Sequence, residues 1–216
     1  RLSLVGSEMC IRDSNKKYVA DVYEYYVNKC QKMLADLKQS NYKTQADIFN
    51  ESFIDNAASK NGSTPKCGLV IFSPPYANCF DYCEVYKLEL WMGGFVKQYE
   101  DFKIYRNIAL RSHVNSKFDH TIDNINENAK VIANLLSCFN IWNKNIPDMI
   151  QGYFDDMTKT LRKLFSLMIP GAACYIVVAN SGYKGILVPT DLLLADIAIN
   201  LGFRVEKIVK ARTIRA

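Results

Sequence analysis

The chain has 216 residues, 49% hydrophobic, 12% aromatic and 23% charged, which is the make-up of one globular domain and excludes a wholly disordered chain. A net charge of +5 with dispersed basic residues permits a nucleic-acid partner without requiring one. Apolar runs such as Leu192 to Leu194 or Tyr175 to Ala179 are far short of the roughly 20 residues of a membrane span, so a soluble, cytoplasmic chain is expected.

In chain order, Arg1 to Ser14 (RLSLVGSEMCIRDS) resembles the translated read-through of a transposase-type sequencing adapter found at the ends of metagenomic gene fragments. It is set aside from the fold, and the natural coding sequence is expected to begin near Asn15. Tyr18, Val22, Tyr25, Tyr26, Lys29, Met33 and Leu37 recur at helical spacing and predict an amphipathic helix over about Lys16 to Lys38. Asn56 to Lys66, with Gly62, Ser63 and Pro65, reads as a polar loop. Leu69 to Phe72 is a short apolar run of the kind that forms a buried parallel strand, ending at Ser73-Pro74-Pro75.

A helix is expected around Glu84 to Met92, stopped by Gly93-Gly94, and another over Asn128 to Phe139. The longest should start near Pro147, carry Met149, Ile150, Tyr153, Phe154, Met157, Leu161, Leu164, Phe165 and Met168 on one face, and end at Pro170-Gly171. A buried strand over Ala173 to Ala179 follows. Then comes a helix capped by Thr190 and closed by Gly202, and a last strand over Arg204 to Ala211. Alternating strands and helices imply an α/β fold around a mainly parallel sheet flanked by helices. In such sheets ligands sit beyond the carboxyl ends of the strands, which here are SPPYANCFDY and NSGYKG.

Seven cysteines (Cys10, Cys30, Cys67, Cys79, Cys83, Cys138, Cys174) are odd in number and lack CxxC or Cys/His ligand spacing, so reduced thiols and no metal site are expected. Cys79 and Cys83, four apart, would share a helix face as packing residues.

Ser73-Pro74-Pro75-Tyr76 carries the chemistry. Two consecutive prolines remove two backbone donors and fix φ twice, so the chain leaves the strand rigid and extended with free carbonyls. An exocyclic amino group could donate one hydrogen to the Ser73 hydroxyl and another to the Pro74 carbonyl, and Tyr76 offers a face for a base removed from its stack. A plain Pro-Pro turn with Tyr76 as edge packing is the alternative. His113 and His120 read as exposed polar residues. Arg111 and Lys117 are candidates for phosphate contact or for a solvated face.

SPPY, preceded by LVIF and followed by ANCFDYCEVYKLELWMGGF, resembles the catalytic motif region of amino-methylating DNA methyltransferases, the site-specific modification methylases. RSHVNS (Arg111 to Ser116) and VVANSGYKGILVPTDLLLADIAINLGFRVEKI are also similar to members of this layout, and the resemblance runs from about Asp47 to Arg215. It implies a partial class I, Rossmann-like fold with its early strands missing, a catalytic domain over residues 15–216 with a helical insert at about 94–147 for target contacts, and S-adenosylmethionine as cofactor. It also implies double-stranded DNA as partner, a cognate restriction endonuclease alongside, and transfer to N4 of cytosine, for which Ser in first position is typical. Carried over, Ser73, Pro74, Pro75 and Tyr76 form the catalytic pocket, and Asp47 in ADIFN matches the acidic residue at the cofactor adenine.

Two departures stand out. The position before Leu69, often Asp in such enzymes, is Gly68, and no FxGxG cofactor loop occurs; in this layout that loop and its acidic partner precede Asp47. On this reading the chain alone is expected to be inactive. An RNA or protein amino-methyltransferase with the same Pro-Pro-Tyr pocket, and a non-catalytic nucleic-acid-binding α/β module, are the other two readings.

Overall fold

The structure is a computed structural model, and it describes residues 21–39, 51–54, 66–115 and 121–211. The adapter-like Arg1 to Ser14, Asp47, the loop at 56–65, Lys117 and His120 lie outside the described residues. The chain divides into two compact units, Arg1–Asn50 and Glu51–Ala216. In the first, helix α1 spans Val22–Gln39, matching the predicted period, with Glu24 in its first turn and Lys38 in its last, each favourable for the helix dipole.

The second unit runs β1 (Cys67–Phe72), α2 (Tyr82–Val85), α3 (Lys87–Met92), α4 (Tyr99–Ile108), α5 (Glu127–Ser137), α6 (Ile146–Leu167), β2 (Met168–Ile176), β3 (Ser181–Tyr183), β4 (Ile186–Val188) and α7 (Thr190–Asn200). It is a mixed α/β arrangement compatible with a methyltransferase fold.

Helix α6 organises the core. Its apolar residues recur at helical spacing, so Ile146, Met149, Ile150, Tyr153, Phe154, Met157 and Leu161 are all buried. Each such side chain contributes about 1.5–3 kcal/mol relative to exposure. Pro147 stands in its first turn, where a missing N–H costs nothing. Leu136 of α5 and Leu193, Leu194 and Ile197 of α7 join the same buried cluster.

Strands β1 and β2 pair in parallel, with Leu69 opposite Ala173 and Phe72 opposite Ile176. Val70, Phe72, Cys174 and Ile176 pack toward the core, whereas Leu69, Ile71 and Tyr175 on the other face are exposed. Pro170-Gly171 does not end the helix, as the sequence predicts. Helix α6 stops at Leu167, and the pair lies inside an irregular start of β2, where the step from Met168 to Ala173 matches only Cys67 to Leu69. A strand tolerates proline at such a bulge, and Gly171 takes φ +82° there.

Two other expectations are corrected. The segment Arg204 to Ala211 is not a strand: it pairs with no described strand and is exposed. Thr190 is not the cap of α7. It is the first helical residue and fully buried, while the side-chain Oδ1 of Asn180 accepts from Asp191 N at 3.1 Å and does the capping from the preceding loop. The segment NSGYKG after β2 opens a hairpin. Ser181–Tyr183 and Ile186–Val188 form an antiparallel hairpin, whose Lys184-Gly185 turn takes φ 50° and 81°, the two positive values of a type I′ turn.

Candidate active site

The end of β1 and the end of β2 meet at the motif. Val177 N donates to the Phe72 carbonyl at 3.0 Å, and one residue on, the Ser73 hydroxyl donates to the Val177 carbonyl at 3.0 Å. The hydrogen of Ser73 is thereby occupied, its lone pairs are free, and the residue is exposed. Pro74 is buried, Pro75 and Tyr76 are half-buried, and no donor among the described residues reaches the Pro74 carbonyl.

The next residues turn sharply. Asn78 N donates to the Tyr76 carbonyl at 2.8 Å, and Cys79 has φ 64°, uncommon for a residue with a side chain. The hairpin holds this turn in place: the Tyr183 hydroxyl donates to the Ala77 carbonyl at 2.8 Å, and the Cys79 thiol lies 3.3 Å from the same oxygen. Because the phenol hydrogen goes to Ala77, the thiol is the donor to Tyr183. Burial pushes the Cys79 thiol above its ordinary value, so it stays protonated. Cys79 therefore does not share a helix face with Cys83, which lies in α2 while Cys79 precedes it.

Asp81 closes the segment. It caps α2 through Glu84 N and accepts from Arg106 Nε at 2.8 Å and Asn115 Nδ2 at 2.9 Å. Burial alone would raise its carboxyl; the bonds from Asn115 and Arg106 outweigh that and hold it low. Beyond it runs an aromatic row, with Phe80 edge-on to Tyr82 at 4.8 Å and Tyr82 stacked over Tyr86 at 6.3 Å.

Two candidates are corrected here. Arg111 is no phosphate contact. It is buried, with its guanidinium bonded to Asp155 Oδ2 and Asp156 Oδ1, both at 2.5 Å, and its backbone N to Asp156 at 2.9 Å. His113 is not exposed: the same anchoring draws residues 111–114 into the core. Burial lowers its pKa, and Nδ1 accepts from Asn115 N, which leaves the ring proton on Nε2. The overlooked signal is the pair Asp155-Asp156 inside the apolar stripe of α6, where charges need a cationic partner.

Behind Pro74 and Pro75 lies a cavity of about 420 Å3, lined by Phe53, Ile54, Val70 and Phe72 among others. That volume is in the range of small-molecule sites. Its lining, apolar with only Ser52 and Thr160 polar, suits a flat heterocycle such as adenine; it carries no charged side chain for the amino-acid end of S-adenosylmethionine. Among the described residues no group of three or more His, Cys, Asp or Glu side chains is placed to hold a metal ion.

The chain is similar to type II methyltransferases. It is 33% identical over 153 residues to the type II methyltransferase M.AvaI of Nostoc sp. (strain PCC 7120 / SAG 25.82 / UTEX 2576), covering 65% of this chain and 31% of that protein, and equally so to M.AvaI of Anabaena variabilis. It is 26% identical over 224 residues to the type II methyltransferase M.BsoBI of Geobacillus stearothermophilus, covering 90% of this chain and 43% of that protein. The matched part is thus less than half the length of these relatives. No family model and no solved structure matches. No helix among the described residues is long and apolar enough to cross a membrane.

Proposed function

We propose that this chain carries the target-base pocket of an S-adenosylmethionine-dependent DNA methyltransferase that methylates an exocyclic amino group, N4 of cytosine, in a site-specific modification system with a cognate restriction endonuclease. The observation that carries this reading is the Ser73 hydroxyl. Its hydrogen is spent on Val177, so toward a ligand it is an acceptor. An amino group has two hydrogens to give, and the Pro74 carbonyl is the second acceptor.

When bound, S-adenosylmethionine supplies a methyl group on a sulfonium. The residues of this chain do the rest. Ser73 and Pro74 take the two amino hydrogens, which orients the nitrogen lone pair away from them. Prolines 74 and 75 offer no N–H to compete, and the Tyr183 bond to Ala77 keeps the turn from relaxing. Tyr76 gives the flipped base a stacking face. No strong base is required, since the extra proton leaves to water after transfer. The cavity behind the prolines would hold the adenine end of the cofactor between residues such as Phe53 and Ile54, and Asp47 remains the candidate for its amino group. Arg111, locked to two aspartates, is withdrawn from the DNA contacts; Lys117 is kept as a phosphate candidate within the 94–147 insert.

The test is transfer of labelled methyl to duplex DNA by the full-length protein, with the modified nucleoside identified by mass spectrometry. Label on N4 of cytosine is expected. Label on adenine N6 would overturn the choice of base, and label found only in RNA or protein would overturn the substrate.

A further inference from the structure

Two different kinds of chain build the cavity behind Pro74 and Pro75. Met157, Thr160 and Leu164 come from one face of α6, at spacings of three and four residues. Phe53 and Ile54 come from residues 51–54, which form neither helix nor strand. Phe53 is 43% exposed, so core packing does not fix its ring. Lys163 supplies the hold. Three residues after Thr160 on α6, it donates through Nζ to the Phe53 carbonyl at 2.5 Å and to the Ile54 carbonyl at 3.4 Å, and the same ammonium stands 5.1 Å from the centre of the Phe53 ring. One charge thus fastens both the backbone and the ring. Just before β1, Lys66 Nζ donates to the Ser166 carbonyl at 2.7 Å and ties the chain to the last turn of the same helix.

A lysine on a carbonyl is ordinary at a protein surface. This one differs because both carbonyls belong to residues that line a cavity of about 420 Å3, which Lys163 itself does not line. We propose that Lys163 is a positioning residue of the cofactor site, presetting Phe53 and Ile54 as the wall against which the flat heterocycle of the cofactor lies. This inference rests on the reading of the cavity as the adenine end of an S-adenosylmethionine site, and it adds what keeps that wall in place. The physical reason is pre-organisation. If residues 53 and 54 were loose, ordering them would oppose ligand binding; with Lys163 in place, that ordering is completed on folding. The acceptor geometry at Ser73 depends on a separate bond, to Val177, so Lys163 acts on cofactor binding and not on the alignment of the target amino group.

The experiment uses the full-length protein. Labelled-methyl transfer gives kcat, KM for S-adenosylmethionine and KM for duplex DNA in wild type, Lys163→Met, Lys163→Arg, Phe53→Ala and the double variant Lys163→Met with Phe53→Ala. Methionine keeps the apolar stem and removes the charge. Lys163→Met should raise KM for S-adenosylmethionine by roughly tenfold, the scale of ordering one residue, while kcat and KM for DNA stay within about twofold. Lys163→Arg, which keeps a charge and N–H donors, should lie nearer to wild type than to Lys163→Met. The double variant should lose less than the product of the two single losses, because both act through one wall. Independent, multiplying losses would overturn the inference, and so would a fall in kcat or a rise in KM for DNA as large as the change for the cofactor, which marks a merely structural lysine. An unchanged cofactor KM in Lys163→Met beside a raised one in Phe53→Ala would overturn it and leave the adenine site standing. An unchanged cofactor KM in Phe53→Ala would overturn both the inference and the placing of adenine, with methyl transfer by wild type still supporting the enzyme. No transfer by wild type would overturn the methyltransferase reading and this inference with it.

Discussion

Ser73, the first residue after β1, donates its hydroxyl hydrogen to the carbonyl of Val177, the first residue after β2, at 3.0 Å. This bond aligns the two strand ends and sets Ser73 as an acceptor. Ser73→Ala should therefore cut methyl transfer by roughly 10² or more, the scale for one lost transition-state hydrogen bond. Because the residue is exposed, stability should change by only about 0.5–1.5 kcal/mol. Labelled-methyl counting beside denaturant unfolding separates the two effects, and unchanged turnover would sink the assignment.

Tyr76 follows the prolines half-buried, with no hydrogen bond on its hydroxyl among the described residues. A ring held without a polar tether acts through its face. Tyr76→Phe should keep activity, and Tyr76→Ala should weaken target binding by about 1–3 kcal/mol. Steady-state kinetics on both variants checks this; equal damage by Phe and Ala would assign the role to the hydroxyl.

A Cβ on Gly152 would meet Arg111 Cδ at 2.8 Å and Nε at 3.0 Å. Those atoms cannot swing away, because the guanidinium is gripped by Asp155 and Asp156. Gly152→Ala should thus destabilise by about 1–3 kcal/mol in spite of the helix propensity of alanine. Arg111→Ala, which strands two buried carboxylates, should cost about 3–5 kcal/mol. Chemical unfolding measures both, and a stabilised Gly152→Ala would show that the Arg111 bridge is loose.

Burial by itself would raise the Asp155 carboxyl, but hydrogen bonds from Asn124, Arg111 and Lys159 hold it at about 2. Its folded value lies below the unfolded one of about 3.9, so its contribution is complete above that pH and is lost as pH falls from about 4 toward 2. Unfolding free energy measured across that window should drop for wild type. Asp155→Asn should be less stable at pH 7 and show a shallower acid limb; an unchanged limb would mean that other carboxylates set it.

Tyr183→Phe removes the donor to the Ala77 carbonyl and frees the Cys79 thiol. Loss of about 1–3 kcal/mol is expected from the buried carbonyl left unpaired. Since the turn after Tyr76 loses its clamp, kcat should fall more than KM rises. A change in KM alone would place the hairpin at substrate binding and not at alignment.

Much of the fold was legible in local patterns. The apolar run at Leu69 to Phe72, the stripe of α6 with Pro147 in its first turn, and Gly202 after α7 are recorded within one or two turns of chain, because periodicity, proline and glycine act over that range. The same holds for Ser73-Pro74-Pro75-Tyr76 as the segment that leaves a strand end. What needed the tertiary structure is each pairing of a side chain with a group from a different element. Arg111 and Lys117 look alike in sequence as surface cations, yet Arg111 is claimed by Asp155 and Asp156 from a helix 44 and 45 residues away. Thr190 has the composition of a cap, but it enters the helix as its first residue and the Asn180 side chain accepts from Asp191 N instead. The sequence by itself determined which groups could accept an amino hydrogen. Only the tertiary structure decided that Ser73 is an acceptor, since Val177, 104 residues on, takes its proton, and a hydroxyl is donor or acceptor according to the partner that packing brings to it.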